Sequence, residues 1–210
     1  SYVNMWQKVR SIWQYVHDHY LEDYDFFHLG GDNMFVIAEN LRYACSLMNR
    51  SEPVYTGAAM GDKFAPRKRF CGGGAGYTLN RVTLRRMIRE EWNTFRCFPN
   101  GTRPDEDRAM GRCLRLKIAR CTHDMDEKGE QRYHPFDAQY HATWNIKKPA
   151  NWNWQELWKF NKINTFKEGL EGISETTATF HLVGDGDFRD QGIRRYHALL
   201  YGLCNVTKKK

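Results

Sequence analysis

The sequence lacks several features that would assign it to a common class of protein. It contains no apolar run of about 18 residues, so no membrane span is expected. It contains no Cys-x-x-Cys pair, which disfavours zinc ribbons and thioredoxin-like proteins. No combination of nucleophile, histidine and acid has a usable triad spacing. The first residues, Ser1-Tyr2-Val3-Asn4, lack the basic stretch and apolar core of a signal peptide. A secreted protein is therefore expected here in a mature or trimmed form.

The composition disfavours disorder and nucleic-acid binding. The 210 residues are 41% apolar and 14% aromatic, which is enough to build a hydrophobic core. The net charge is +7, yet the lysines and arginines are spread along the chain. A nucleic-acid-binding protein more often concentrates its basic residues in one stripe. We therefore expect a solvated basic surface and no nucleic-acid partner.

Cysteines and sequons together indicate the secretory pathway, where disulfides persist and asparagines are glycosylated. Three sequons begin at Asn49, Asn100 and Asn205, which are the predicted glycosylation sites. The six cysteines are Cys45, Cys71, Cys97, Cys113, Cys121 and Cys204. A secreted, extracellular protein is expected, with the Golgi lumen as the alternative compartment. A cytosolic protein with six free thiols is the competing interpretation.

Hydrophobic periodicity predicts one α/β domain. Apolar residues recur at steps of three and four from Trp6 to Tyr20, which is typical of one face of a helix. Strand-like runs follow at 25–29, 34–37, 54–57 and 176–183. Helical segments are expected at 39–48, from a cap at Asn80 to Trp92, at 104–117 and at 192–203. Because strands and helices mix without a repeat or a long linker, we predict a single domain over residues 1–210.

A glycine-rich segment at Gly72–Gly76 invites comparison with phosphate-binding loops. It lacks the Lys-Ser/Thr ending of a P-loop and the spacing of a dinucleotide fingerprint. Glycine here allows the backbone to approach a ligand or another segment closely, and a plain tight turn is an equal alternative.

Two side-chain clusters have both a chemical and a structural interpretation. The carboxylates Asp105-Glu106-Asp107 could supply a general base, although acids at a helix start are also stabilised by the helix dipole. A tryptophan-rich stretch around Trp152, Trp154 and Trp158 could stack on a sugar, although tryptophan more often packs in a core.

A zinc site is a weaker hypothesis, because the gaps between its candidate ligands match no compact pattern. These candidates are Cys121, His123, His134 and His141.

Taken together, several short runs resemble the animal core-1 β1,3-galactosyltransferases (T-synthases), a Fringe-like family of inverting enzymes that add galactose to GalNAc on Ser/Thr. They occur in family order and cover almost the whole chain. The matching runs are 13–17, 19–23, 36–42, 73–77, 106–113, 134–136, 152–154 and 180–181.

The resemblance implies a GT-A-like, half-Rossmann fold with a donor-side part at 1–60 and an acceptor-side part at 61–210. It implies that Asp107 is the catalytic base, that His181 and Asp32 are metal ligands, and that Cys97 and Cys113 form a disulfide. The glycan-binding residues that it implies are Asp107, Glu106, Trp152, Trp154, Tyr77 and Gly74.

Departures from the family pattern concentrate on the donor side. Three successive aspartates of the family are replaced by Gly31-Asp32-Asn33, so the cofactor-binding positions Asp32 and Asn33 are degenerate. Neutral Asn33 stands where a carboxylate should hold Mn²⁺, and hard divalent cations prefer charged oxygen ligands. An adjacent Cys-Cys pair of the family is replaced by Gly172-Ile173-Ser174-Glu175. The first nucleotide-binding strands of the family lie before the segment where this sequence begins, so we expect the fold to lack them.

The acceptor-side residues are retained, and this asymmetry predicts a catalytically inactive, lectin-like protein that binds GalNAc- or galactose-containing O-glycans. No cofactor is expected in that case. The alternative is an active UDP-galactose-dependent β1,3-galactosyltransferase, which would need Mn²⁺ and UDP-galactose. A chaperone or structural relative of such a transferase is the third hypothesis.

The missing strands also predict a partner chain. In a parallel sheet, a strand such as Phe26–Leu29 would be left with an open edge, and open edges recruit partners. We therefore expect a homo-oligomer or a second chain that covers this edge. One of the four cysteines without an assigned partner could bridge two chains.

Overall fold

The structure is a computed structural model that describes residues 2–62, 65–115, 117–143 and 167–181. The helices are α1 (Met5–Tyr20), α2 (Ala38–Ser46), α3 (Arg81–Arg86), α4 (Glu106–Leu114) and α5 (Ala138–Thr143). The strands are β1 (Phe26–Leu29), β2 (Met34–Val36), β3 (Tyr55–Gly57), β4 (Ala59–Asp62), β5 (Ala65–Cys71), β6 (Tyr77–Asn80), β7 (Thr122–His123), β8 (Tyr133–His134) and β9 (Thr179–His181). None of the helices within these ranges has the length and apolar character that a bilayer crossing requires.

Most predicted elements form at the expected places, with shorter bounds. The predicted helix from the Asn80 cap to Trp92 divides into α3 and a π-turn at Met87–Glu91. The Asn80 side chain accepts the Thr83 backbone N–H at 2.9 Å, as the capping prediction requires. The helix predicted at 192–203 lies outside the described residues.

The sheets are small and mixed. One has the strand order β1-β6-β3-β7, the second β2-β9-β8, and β4 pairs with β5 in a hairpin. β1 pairs antiparallel with β6, and among the strands of the described ranges only the β3–β7 and β8–β9 pairs are parallel. This corrects the parallel sheet assumed above. β1 still stands at one end of its sheet among the described residues. The half-Rossmann arrangement stays a prediction.

The main core lies between α1 and the larger sheet. Trp6 and Trp13, on one face of α1, are at most 1% exposed and belong to the same buried cluster as Tyr77 and Leu79 of β6. Arg10 on the same helix donates to the Trp92 carbonyl at 2.8 Å and lies 4.1 Å above the Trp92 ring. This helix therefore fixes the back of the sheet that carries the glycine-rich segment.

Among the described residues, two disulfides join cysteines of the main core. The predicted Cys97–Cys113 bond is present. A second bond joins Cys71 to Cys121, which were among the cysteines considered for a bridge between chains. That consideration is wrong for these two residues, because they are bonded to each other. Cys45 carries a free thiol, and Cys204 lies outside the described residues.

Candidate functional site

A cleft of about 530 Å³ opens where the glycine-rich segment, the start of α4, the loop before α5 and the end of β9 meet. Its size is in the range of pockets that hold drug-sized ligands, roughly 300–1,000 Å³. The lining residues are Met60, Phe70, Gly72, Gly73, Gly74, Asp107, Arg108, Pro135, Phe136, Asp137, Tyr140 and His181.

The glycine-rich segment forms the floor of this cleft because larger residues would not fit there. A Cβ atom on Gly73 would collide with the Glu106 carboxylate, and one on Gly74 would lie 2.5 Å from His181 Nδ1. Gly76 has a φ of +66°, which favours glycine. The segment thus brings the acidic residues of α4 and the histidine of β9 to opposite sides of one short turn.

The acid cluster at the start of α4 divides into three different environments. Asp105 forms a bidentate ion pair with Arg103, at 2.9 and 2.7 Å. Glu106 accepts the Tyr77 hydroxyl at 3.0 Å. Asp107 accepts the backbone N–H of Gly73 at 3.0 Å and that of Arg108 at 2.7 Å. Of the three, Asp107 is the one that lines the cleft.

The protonation states of Glu106 and Asp107 follow from their burial and from their hydrogen bonds. Burial, and next the charge of neighbouring Asp107, raise the pKa of Glu106 to about 8. Burial also raises the pKa of Asp107, but the N–H donors of Gly73 and Arg108 act against that rise. We conclude that Glu106 holds the proton near neutral pH and that Asp107 is the carboxylate of the pair. Asp107 therefore presents a hydrogen-bond acceptor to the cleft.

Both ring nitrogens of His181, at the end of β9, form polar contacts. Its Nδ1 lies 3.2 Å from the Pro135 carbonyl oxygen, which can only accept, so Nδ1 carries the proton. Nε2 is then an acceptor, and it lies 3.0 Å from Nδ2 of Asn33. Burial lowers the pKa of His181, which favours this neutral form. The lone pair that a metal ion would use is engaged by the Asn33 amide.

The residues at this position do not fit a Mn²⁺ ion. Asp32 and Asn33 are exposed, and Asn33 offers an amide where a charged oxygen is preferred. Within the described ranges, no three His, Cys, Asp or Glu side chains cluster closely enough to hold a metal ion. The same finding, together with the bonding of Cys121 to Cys71, shows that the zinc hypothesis is wrong. Two of its remaining members pack as buried imidazoles: His134 stacks on Phe180 at 4.4 Å and contacts His141.

Some predicted residues lie away from the cleft or beyond the described chain. Asn49 and Asn100 are exposed, as glycosylation requires. Trp152, Trp154, Trp158 and Asn205 lie outside the described residues. Tyr77 reaches the site through its bond to Glu106.

Asp137 and Tyr140 are among the lining residues that the sequence did not single out. The signal that could have found them is local: Asp137 accepts the Tyr140 backbone N–H at 2.8 Å, as a helix cap does. Both therefore belong to the start of α5, directly after the retained run at 134–136.

Comparison with known proteins places this chain among sequences similar to glycosyltransferases. It is 28% identical over 200 residues to glycoprotein-N-acetylgalactosamine 3-beta-galactosyltransferase 1 of Xenopus laevis, covering 94% of this chain and 52% of the relative. Shorter matches are to chondroitin sulfate synthase 3 of Mus musculus (31% over 110 residues) and to human chondroitin sulfate glucuronyltransferase (33% over 104 residues). These cover 49% and 48% of this chain, and 12% and 13% of the relatives. No protein-family model matches the chain.

These similarities confirm the predicted resemblance to the core-1 β1,3-galactosyltransferases. The chain spans about half the length of the Xenopus galactosyltransferase and a much smaller part of the chondroitin-related proteins. A match over this share of a relative does not by itself give this chain the activity of the full-length relative.

Proposed function

We propose that this chain is a glycosyltransferase-like lectin that binds GalNAc- or galactose-containing O-glycans in the cleft beside Asp107 and does not transfer sugar. The observation that carries the proposal is the hydrogen bond between Asn33 and His181. It joins His181, an implied metal ligand, to Asn33, the neutral amide that stands where a carboxylate should hold the ion.

The loss of a metal site matters more for transfer than for binding. In metal-dependent transfer, the ion stabilises the charge that develops on the leaving diphosphate, which contributes several kcal/mol to the transition state. Binding of a neutral glycan needs no such charge compensation. It needs hydrogen-bonding groups and an apolar surface in a cleft of suitable size.

The cleft supplies those groups. The Asp107 carboxylate can accept hydrogen bonds from neighbouring sugar hydroxyls, because its acceptor capacity exceeds the two backbone donors that it already binds. The glycine segment leaves room for the ligand, since Gly72, Gly73 and Gly74 line the cleft without side chains.

An active transferase is the second candidate, and one observation favours it. Asp107 is the ionised member of the acid pair and faces the cleft, where it could take the proton of an acceptor hydroxyl. This function would also need a bound UDP-sugar and a cation. The described residues do not supply a set of ligands for the cation.

The two disulfides support the secretory pathway as the compartment, because such bonds persist in oxidising environments. The proposed partners are O-glycans or glycoproteins, together with a second chain that covers β1.

Isothermal titration with a GalNAc-threonine glycopeptide tests the proposed function, in parallel with UDP release from UDP-galactose. We expect glycopeptide binding that EDTA leaves unchanged, and no Mn²⁺-dependent UDP release. Asp107→Asn should weaken binding by about tenfold, as expected for a lost charge-assisted hydrogen bond. Asp105→Asn is the matched control, because Asp105 belongs to the same acid run but pairs with Arg103. EDTA-sensitive binding of UDP-galactose with turnover would contradict the lectin and favour the transferase.

A further inference from the structure

The cleft has an apolar side that the Asp107 argument does not use. Pro135, Phe136 and Tyr140 line it, and they belong to one continuous stretch of chain from the end of β8 into α5. The Phe136 and Tyr140 rings lie 4.9 Å apart between centroids, with an angle of 47° between their planes. The two rings together form an aromatic wall that is larger than either ring alone.

The backbone holds this aromatic wall in place. The Phe136 N–H donates to His141 Nε2 at 3.3 Å, and the Tyr140 N–H donates to Asp137 at 2.8 Å. His141 is itself buried against His134 and Phe180. Since the wall is fixed before a ligand arrives, a flat ligand face can pack on it at little cost in conformational entropy.

The pairing of an aromatic wall with a carboxylate fits one stereochemical class of sugar. In a galacto-configured pyranose the 4-hydroxyl is axial, so the hydrogens on C3, C4 and C5 lie together on the opposite face. That face is apolar and continuous, and it can pack on aromatic rings. The axial hydroxyl then points away from the rings, where a carboxylate can accept its hydrogen bond. In the gluco epimer the 4-hydroxyl is equatorial, and the hydrogen on C4 lies on the other face.

We propose that Phe136 and Tyr140 are the stacking platform of the cleft, and that this platform with Asp107 makes the site prefer galacto-configured over gluco-configured sugars. This inference rests on the proposed function, which already names galacto-configured sugars, and adds to it the residues that would select them.

The test uses methyl β-galactoside and methyl β-glucoside, which differ only at C4. Saturation-transfer NMR on the unmodified chain, with irradiation of the aromatic protons, should give the strongest transfer to H3, H4 and H5 of the galactoside. In competition against the glycopeptide, the galactoside should bind roughly tenfold more tightly than the glucoside, because the glucoside loses one stacking contact. Equal competition by the two glycosides, or saturation that does not come from aromatic protons, would overturn the proposal.

Substitutions test whether the two rings produce the galactoside preference. Phe136→Leu and Tyr140→Leu keep an apolar side chain but remove the ring, and each should abolish the preference. Tyr140→Phe should retain it. Phe95→Leu is the matched control, because Phe95 is 70% exposed in a separate 3₁₀ turn at Phe95–Cys97. The NMR experiment on the unmodified chain decides the matter if a leucine variant fails to fold.

The possible failures are distinguishable. If the glycopeptide binds and the leucine variants keep the galactoside preference, the stacking platform is wrong while the lectin function stands. If the glycopeptide does not bind and UDP-galactose is turned over, the proposed function is wrong as well.

Discussion

Nδ2 of Asn33 lies 3.0 Å from Nε2 of His181, while Nδ1 of the same ring lies 3.2 Å from the Pro135 carbonyl oxygen. A metal-binding histidine commonly donates its second N–H to a carbonyl in this way. The ring is thus oriented as a ligand would be, and the asparagine amide occupies the direction in which an ion would approach. This relationship gives the first prediction.

Restoring carboxylates should restore metal affinity. We expect no Mn²⁺ binding by the unmodified chain at this position, and measurable binding by the double variant Gly31→Asp, Asn33→Asp, because two charged oxygen donors join His181. A Cβ on Gly31 would come close, at 2.7 Å, to the oxygen of the Asn33 side chain, which is exposed and is itself replaced in the double variant, so the substitution can be accommodated. Electron paramagnetic resonance of free Mn²⁺ measures the binding. Asn33→Ala, which removes the amide without adding a charge, is the control. Tight Mn²⁺ binding at this position by the unmodified chain would contradict the prediction.

Glu106 should make stability fall with rising pH. Its pKa is raised by burial to about 8 from an ordinary value of 4.5, so the folded state holds a proton that the unfolded state releases. The stabilisation is complete below about pH 4.5 and is lost as the pH rises through about 8. Glu106→Gln mimics the protonated acid and should match the parent near pH 4, but have the higher melting temperature near pH 9. Melting curves across this range measure the difference, and a difference that does not change with pH would count against the assignment.

The buried histidines should destabilise the fold in acid. Burial lowers the pKa of His134 to about 3 and that of His123 to about 4, from 6.5. As the pH falls below about 6.5 the unfolded state takes up protons first, so the free energy of unfolding decreases down to about pH 4, by roughly 3 kcal/mol for each such histidine. Urea titrations between these limits measure the slope. A flat profile for the parent would contradict the lowered pKa values of these two rings.

The Cys71–Cys121 bond should contribute more stability than Cys97–Cys113. It spans 50 residues against 16, and the chain-entropy estimate gives about 4 against about 3 kcal/mol. Cys71→Ala, Cys121→Ala should therefore be the less stable double variant in denaturant titrations, compared with Cys97→Ala, Cys113→Ala. The glycine segment begins directly after Cys71, so the first variant should also weaken glycan binding. Non-reducing peptide mapping that finds Cys71 unbonded would remove the basis of this prediction.

The sequence predicts those parts of the fold that local patterns determine. The spacing of Trp6 and Trp13 predicts α1, and the capping side chain of Asn80 predicts the start of α3. The π-turn at Met87–Glu91 is not predicted by these patterns, which give one continuous helix up to Trp92. The Glu91 carboxylate is fully buried, where it binds Arg96 at 2.7 and 2.9 Å and Lys117 at 3.4 Å.

The candidate site, like the fold, can be predicted from the sequence only in part. Resemblance to a family suggested Asp107 and His181, and the structure places both on one cleft. The contact of Asn33 with His181 could not be predicted from spacing, because it depends on the register in which Met34 of β2 faces His181 of β9. The Cys71–Cys121 pairing likewise depends on which loops meet in three dimensions.

The strand β9 lies between β2 and β8, and its Thr179 hydroxyl donates to the Ala75 carbonyl at 2.7 Å. One three-residue strand thus ties together chain segments that are up to 148 residues apart. Contacts of such long range form slowly, because the loops between them must close first. We therefore expect the cleft to form late in folding, so that titration with the glycopeptide would also report on the pairing of β9 with β2 and β8.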